Sequence, residues 1–127
     1  MIDEQFPIDF SIVNGPATIS GIIFDGFTDF TIIRDGIYLM IYSANIDPAS
    51  DITTFGISIN GSPFDIAPMS IGATGGVLST STVRQLSVND VIRFGNRSGG
   101  IRSITSGNIV GSGAQATILR VADGGAL

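Results

Sequence analysis

The chain has no cysteine, no histidine, no tryptophan and no lysine. Without cysteine there is no disulfide framework, no thiolate metal site and no thiol nucleophile. Without His, Cys or Lys, no familiar pairing of nucleophile and base can form, so the inventory points away from an enzyme. Charge of either sign is scarce, at 13% of residues against a usual share of about a quarter. All six basic residues are arginines: Arg34, Arg84, Arg93, Arg97, Arg102 and Arg120. Eleven acids, nearly all Asp, leave a formal charge of −5. Nucleic acids and anionic membranes both call for a basic patch, so neither is an expected partner. Apolar residues reach 43%, yet no run approaches the roughly 18 residues of a membrane span. The opening Met1-Ile-Asp-Glu-Gln shows neither the positive start nor the long apolar stretch of a secretory leader. On that ground the chain is expected either to leave the cell by another route or to be a piece of a longer protein. Its 127 residues fit one domain, residues 1–127, large enough to bury a core without crosslinks.

What is abundant is strand. Val, Ile, Thr, Phe and Tyr dominate, and Glu, Lys and Gln, which favour helix, are few or missing. Turn signals recur about every ten residues, the spacing of an all-β sandwich or barrel. They are Asn14-Gly15-Pro16, Asp25-Gly26, Asp35-Gly36, Asp47-Pro48, Asn60-Gly61, Gly75-Gly76, Asn89-Asp90 and Gly99-Gly100. Asn60-Gly61 tolerates positive φ at both positions and marks the clearest hairpin. Strands are expected near Ile8–Val13, Ala17–Phe24, Phe27–Ile33, Gly36–Ile46, Thr53–Ile59, Phe64–Pro68, Val77–Leu86, Asp90–Asn96 and Ala114–Ala122. A short tenth is expected near Ile101–Ser106, and Gly72–Gly76 reads as an exposed loop.

Two of these strands lack a polar side. A sheet with one wet face alternates apolar and polar residues. Ile37-Tyr-Leu-Met-Ile-Tyr is apolar on both faces, and Ala116-Thr-Ile-Leu-Arg-Val-Ala nearly so. One face packs on the second sheet of a sandwich. In a chain without helices, the simplest cover for the other is a second copy of the same chain, so an oligomer is expected.

Three segments together resemble the tumour-necrosis-factor and complement globular-head superfamily. Asp35-Gly-Ile-Tyr-Leu-Met-Ile-Tyr-Ser is similar to its central strand, with a Gly-aliphatic-Tyr opening. Gly76-Val-Leu-Ser-Thr-Ser-Thr-Val-Arg-Gln-Leu-Ser-Val-Asn-Asp-Val-Ile-Arg-Phe is similar to its pair of strands joined by a short turn. Ala114-Gln-Ala-Thr-Ile-Leu-Arg-Val-Ala closes the pattern, which spans roughly residues 17 to 122. Within the superfamily, this last run and the Gly72–Gly76 loop most resemble the C-terminal heads of bacterial collagen-like spore-surface glycoproteins. An Ala, Ile and Leu terminal strand, in place of the aromatic-rich one of animal members, favours that bacterial branch. No collagen-like stalk precedes the head in this sequence.

The resemblance implies an all-β, ten-stranded jelly-roll sandwich, tumour-necrosis-factor-like, assembled as a homotrimer about a three-fold axis. It implies an extracellular or spore-surface setting. Aligned on Gly36, it places Tyr38, Met40 and Tyr42 in the protomer core, and Leu39, Ile41 and Ser43 toward the axis. By alternation along the last strand, Leu119 and Val121 are expected in the core, with Ala116, Ile118 and Arg120 toward neighbouring subunits.

The chemistry left to the residues is that of oxygen. A glycosidase needs only two carboxylates, but nearly all the acids here fall in predicted turns, where Asp bonds its own backbone. No cofactor is therefore assigned. Calcium is the alternative, since it takes hard oxygen ligands, and Asp25 with Asp29 and Asp47 with Asp51 flank turns. Asn60-Gly61-Ser62 and Asn96-Arg97-Ser98 match the N-glycosylation pattern, which in a bacterial protein is a chance match. Arg97 and Arg102 flank Gly99-Gly100, either as a small cationic tip or as two solvated side chains. The leading functional expectation is a structural, trimer-forming surface head. The alternative is a trimeric binding module for glycans or proteins, such as a lectin-like head or a phage-fibre tip.

Overall fold

The computed structural model describes residues 18–19, 22–25, 28–48, 51–101 and 114–123, and these contain nine strands and no helix. In chain order they are β1 (Thr18–Ile19), β2 (Ile22–Phe24), β3 (Phe30–Ile32), β4 (Gly36–Ile46), β5 (Thr53–Ile59), β6 (Ile66–Ile71), β7 (Gly76–Leu86), β8 (Val91–Asn96) and β9 (Ala114–Ala122). Every pairing is antiparallel. One sheet has six strands in the order β1-β2-β3-β8-β5-β6, and the other has three in the order β7-β4-β9. The chain crosses between sheets at β3–β4, β4–β5, β6–β7, β7–β8 and β8–β9. The result is a jelly-roll sandwich, the architecture expected of the sequence.

Three strands, β4, β5 and β9, begin and end where the pattern of the sequence puts them, and β7 and β8 do so within one residue. The run Ala17–Phe24 instead breaks into β1 and β2, which pair with each other as Ile19↔Ile22 and Thr18↔Ile23. The run Phe27–Ile33 shortens to β3, because Asp25 Oδ1 accepts the backbone amides of Thr28 and Asp29 and holds that stretch in a turn. The run Phe64–Pro68 shifts to β6, because Phe64 and Asp65 belong to the loop. The expected strand Ile8–Val13 lies outside the described residues. Of Ile101–Ser106 only Ile101 is described, and it is not in a strand.

The core lies between the sheets. Tyr38, Met40, Tyr42, Ala44 and Ile46 enter from one face of β4, and Phe30, Ile32, Phe55, Ile57, Ile92 and Phe94 come from the other sheet. A file of rings crosses it. Tyr42 stacks on Phe94 with centroids 4.7 Å apart and meets Phe30 edge-on at 6.1 Å. Phe30 in turn stacks on Phe24, and Phe94 meets Phe55 edge-on. Such pairs add about 0.5–1.5 kcal/mol each beyond the area they bury.

The hairpin at Asn60-Gly61 has positive φ at both residues, 55° and 79°. This is the primed turn whose twist suits paired strands. Asn60 also clips the turn to β8, accepting the Val91 amide and donating to Asp90. The loop that follows folds back over Gly56. A Cβ there would stand 2.1 Å from the Phe64 carbonyl oxygen, so only glycine allows the approach. An extra residue in β6 relative to β5 forms a bulge at Ala67, whose φ is +47°. The Ala67 carbonyl accepts the Thr80 hydroxyl, tying the edge of one sheet to the edge of the other.

Two expectations follow. Replacing Gly56 with Ala sets a methyl against backbone atoms, so we expect a loss of about 1–3 kcal/mol. Gly72→Ala, with open space around it, should be near neutral, and thermal melts compare the two. The second expectation concerns alkaline pH. Burial pushes the Tyr42 phenol well above its ordinary value, and burial raises Tyr38 as well. Unfolded tyrosine titrates near pH 10, so above that pH the unfolded chain sheds protons that the folded chain keeps. Stability should hold steady up to about pH 9 and fall through pH 10–11. No Lys or Cys titrates in that window. Urea midpoints across this range should therefore fall less steeply for Tyr42→Phe than for the parent.

Candidate subunit interface

The strand β4 is central in its sheet and uses both faces. Register decides what lies on the outer one, since residues directly opposite each other in neighbouring strands point to the same side. Leu39 lies between Val83 of β7 and Leu119 of β9. Ile41 lies between Ser81 and Thr117, and Ser43 between Ser79 and Gln115. One end of the outer face is therefore apolar, and the other carries hydroxyls and amides. Ile41 is 41% exposed, Leu119 45%, Val121 50% and Val83 58%. Exposed aliphatic side chains set side by side on one sheet are unusual on a lone soluble domain. Leu39, Ile41 and Ser43 all stand on this face, while Tyr38, Met40 and Tyr42 are buried on the other.

For β9 the phase of the alternation is opposite to the expected one. Ile118 sits opposite Met40 and is 3% exposed in the core, and Ala116 sits opposite Tyr42 and packs against the core. Leu119 and Val121, expected inside, point outward. The reason is that β9 has aliphatic residues on both sides, so its own pattern does not choose a face, whereas pairing with β4 does. Arg120, expected toward a neighbour, is held within its own subunit. Its guanidinium donates twice to the Asp35 carbonyl, at 2.8 and 3.1 Å, and once to Asp123. Val83 was not singled out in the sequence. Its signal was there, as the one aliphatic residue in Ser79-Thr-Ser-Thr-Val-Arg-Gln, but only the register brings it beside Leu39.

Along one flank, where the edge of β6 meets β7, runs an open groove of about 550 Å³. Ile41, Ala67, Pro68, Met69 and Ser81 line it, and Met69 is exposed. It is continuous with the apolar end of the face through Ile41.

The acidic turns are occupied by their own bonds. Asp25 caps the amides of Thr28 and Asp29, and Asp51 accepts the amide of Ile52. Asp29 takes a two-pronged ion pair from Arg93, at 2.7 and 3.0 Å, and this hydrogen bonding holds its carboxyl below the usual carboxylate range. No group of three potential metal-ligating side chains occurs among the described residues. Of the two glycosylation-type asparagines, Asn60 is engaged with Asp90 and Val91, and Asn96 is buried with its amide donating to the Gly100 carbonyl. Arg97 pairs with Asp65, and Arg102 lies outside the described residues. No helix among the described residues is long and apolar enough to cross a membrane.

No protein-family model matches the chain, and no curated protein matches it. Solved structures do. Rabbit GITRL superposes with a TM-score of 0.59 at 11% identity, over 85% of this chain and 82% of that one. At that identity the likeness concerns the fold, and the fold is the tumour-necrosis-factor-like jelly roll.

Proposed function

We propose that this chain is a non-enzymatic, trimer-forming head domain, displayed on a spore or cell surface, and that it assembles through the outer face of β7-β4-β9. The observation that carries the reading is the uncovered apolar end of that face, formed by Leu39, Ile41, Val83, Leu119 and Val121 on a fold whose members commonly assemble as trimers. Each Leu or Ile taken fully out of water contributes about 1.5–3 kcal/mol, and three-fold symmetry repeats the gain. A three-fold contact is heterologous: one patch of a subunit meets a different patch of the next. The groove beside Met69 supplies that second patch, adjacent to the first through Ile41. The spore-surface setting rests on the resemblance of the Gly72–Gly76 loop and the terminal strand.

Sedimentation equilibrium tests the assembly. At micromolar concentration the parent should be a trimer, with each contact burying on the order of 2,000 Å². Ile41→Asp and Leu119→Asp each place an unpaired carboxylate in a dry contact, at a cost of several kcal/mol. Both side chains are already partly exposed in the protomer, so these variants should remain folded by circular dichroism and sediment as monomers. Thr74→Asp, in an exposed turn, should leave the trimer intact. A monomeric parent, or trimers of undiminished stability in both interface variants, would remove this face from the assembly.

A further inference from the structure

The tip of the β5–β6 hairpin is Asn60-Gly61, and Asn60 is the one asparagine followed by glycine among the described residues. This pairing is chemically labile. Glycine has no Cβ to shield its backbone nitrogen, and that nitrogen can attack the side-chain amide carbon of the asparagine before it. Burial does not prevent the reaction here. Asn60 and Gly61 are both exposed, and a Cβ at Gly61 would stand in open space.

Direction does prevent it. The Ser62 amide donates to the Ile59 carbonyl at 3.2 Å and closes a turn with Asn60 and Gly61 at its centre. With φ of 55° and 79°, the turn is the mirror image of type I, in which ψ at the first central residue is about +30°. That ψ sets the Gly61 nitrogen nearly opposite the Asn60 Cβ, whereas a succinimide ring needs the two eclipsed. The side chain is fastened as well. Its Oδ1 accepts the Val91 amide at 2.8 Å, and its Nδ2 donates to Asp90 Oδ1 at 2.9 Å. Only this orientation of the amide serves both neighbours, since Val91 offers a donor and Asp90 an acceptor. The Asn60 backbone amide donates to the Val91 carbonyl, so Asn60 carries the β5–β8 ladder one position beyond its last pair, Ile59↔Ile92. Asp90 is in turn set by its own bonds, with its Oδ2 and its backbone amide both joined to Ser87.

We propose that Asn60 is a deamidation site that the native hairpin holds closed, and that the reaction follows opening of the tip and hinders its reclosing. Once ψ of Asn60 is free to turn, the Gly61 nitrogen bonds to Cγ, the Cγ–Nδ2 bond breaks, and the proton lost by Gly61 leaves with Nδ2 as ammonia. Water then opens the succinimide at either carbonyl carbon. Attack at Cγ leaves aspartate at position 60. Attack at the backbone carbonyl carbon leaves isoaspartate, with an extra methylene in the main chain. Nothing is oxidised or reduced. Neither product remakes the clip in full. Aspartate has no donor for Asp90 and sets a carboxylate against the one already there. Isoaspartate lengthens a two-residue loop whose length fixes the strand register. The modification is a covalent record of hairpin opening. It is set within one protomer and does not rest on the trimer.

Incubation of the full chain at mildly alkaline pH, with and without urea, tests it, with mass spectrometry of the fragment that holds Asn60. Since only the open fraction reacts, deamidation in the folded chain should be at least about tenfold slower than in the urea-unfolded chain. Asp90→Ala takes the acceptor from Nδ2. It should raise the folded-state rate about threefold or more and leave the rate in urea unchanged. Asp90→Asn, whose side-chain oxygen still accepts, should stay close to the parent. A second measurement does not depend on rates. Asn60→Asp, which copies one product, should lower the melting temperature by a few degrees. In an Asp90→Asn background the same change should cost about half as much or less, because an amide there donates to the new carboxylate. Should Asp90→Ala fail to fold, this pair of comparisons decides. Deamidation as fast in the folded chain as in urea, a folded Asp90→Ala chain that reacts no faster than the parent, or an Asn60→Asp loss that Asp90→Asn leaves undiminished would each overturn the proposal.

Discussion

Tyr42 inserts from β4 between Phe94 and Phe30 of the facing sheet, and the rest of the sandwich is arranged around that contact. It fixes which face of β4 is inward. Because β7 runs beside β4 in register from Gly36↔Leu86 to Ile46↔Gly76, it fixes the inward face of β7 along its whole length. Through Met40↔Ile118 it fixes that of β9 too. A one-residue slip would turn every side chain of a strand to the other side. Buried rings fitting between rings penalise such a slip far more than interchangeable aliphatic residues would.

The same constraint leaves the outer face as it is. Once Tyr38, Met40 and Tyr42 are committed to the core, Leu39 and Ile41 have nowhere to go but outward, Leu39 beside Val83 and Leu119 and Ile41 between Ser81 and Thr117. The two sheets then part in character. The three-stranded sheet has an outer face with an apolar end and an exposed apolar groove along its flank. The six-stranded sheet has Ser58, Arg93 and Arg97 outward, with the ion pairs to Asp29 and Asp65. The two outer faces therefore differ in polarity.

Small irregularities shape both sides. The Ala67 bulge turns the edge of β6 toward Thr80 and shapes the groove. Gly56 lets the Phe64 loop lie on the sheet. Asp25, Asp29 and Asp51, which in the sequence are candidate calcium ligands, are taken up by turn amides and by Arg93.

Much of the architecture was legible in the residues alone. The absence of His, Cys and Lys narrowed the chemistry, the recurring Gly, Asn and Asp turns marked a sandwich, and the bounds of β4, β5 and β9 followed from runs that only a strand accommodates. The two-sided character of β4 was equally plain, because period-two alternation needs no partner to be seen. What the sequence left undecided was phase and proximity. Leu119 and Ile118 are both aliphatic, so only the hydrogen-bonded register with β4 determines that Ile118 is inside and Leu119 outside. Arg93 and Asp29 are 64 residues apart, and Arg97 and Asp65 are 32 apart. No local pattern pairs them. They meet because β8 lies between β3 and β5 in the sheet, an order set by long-range packing rather than by any single segment.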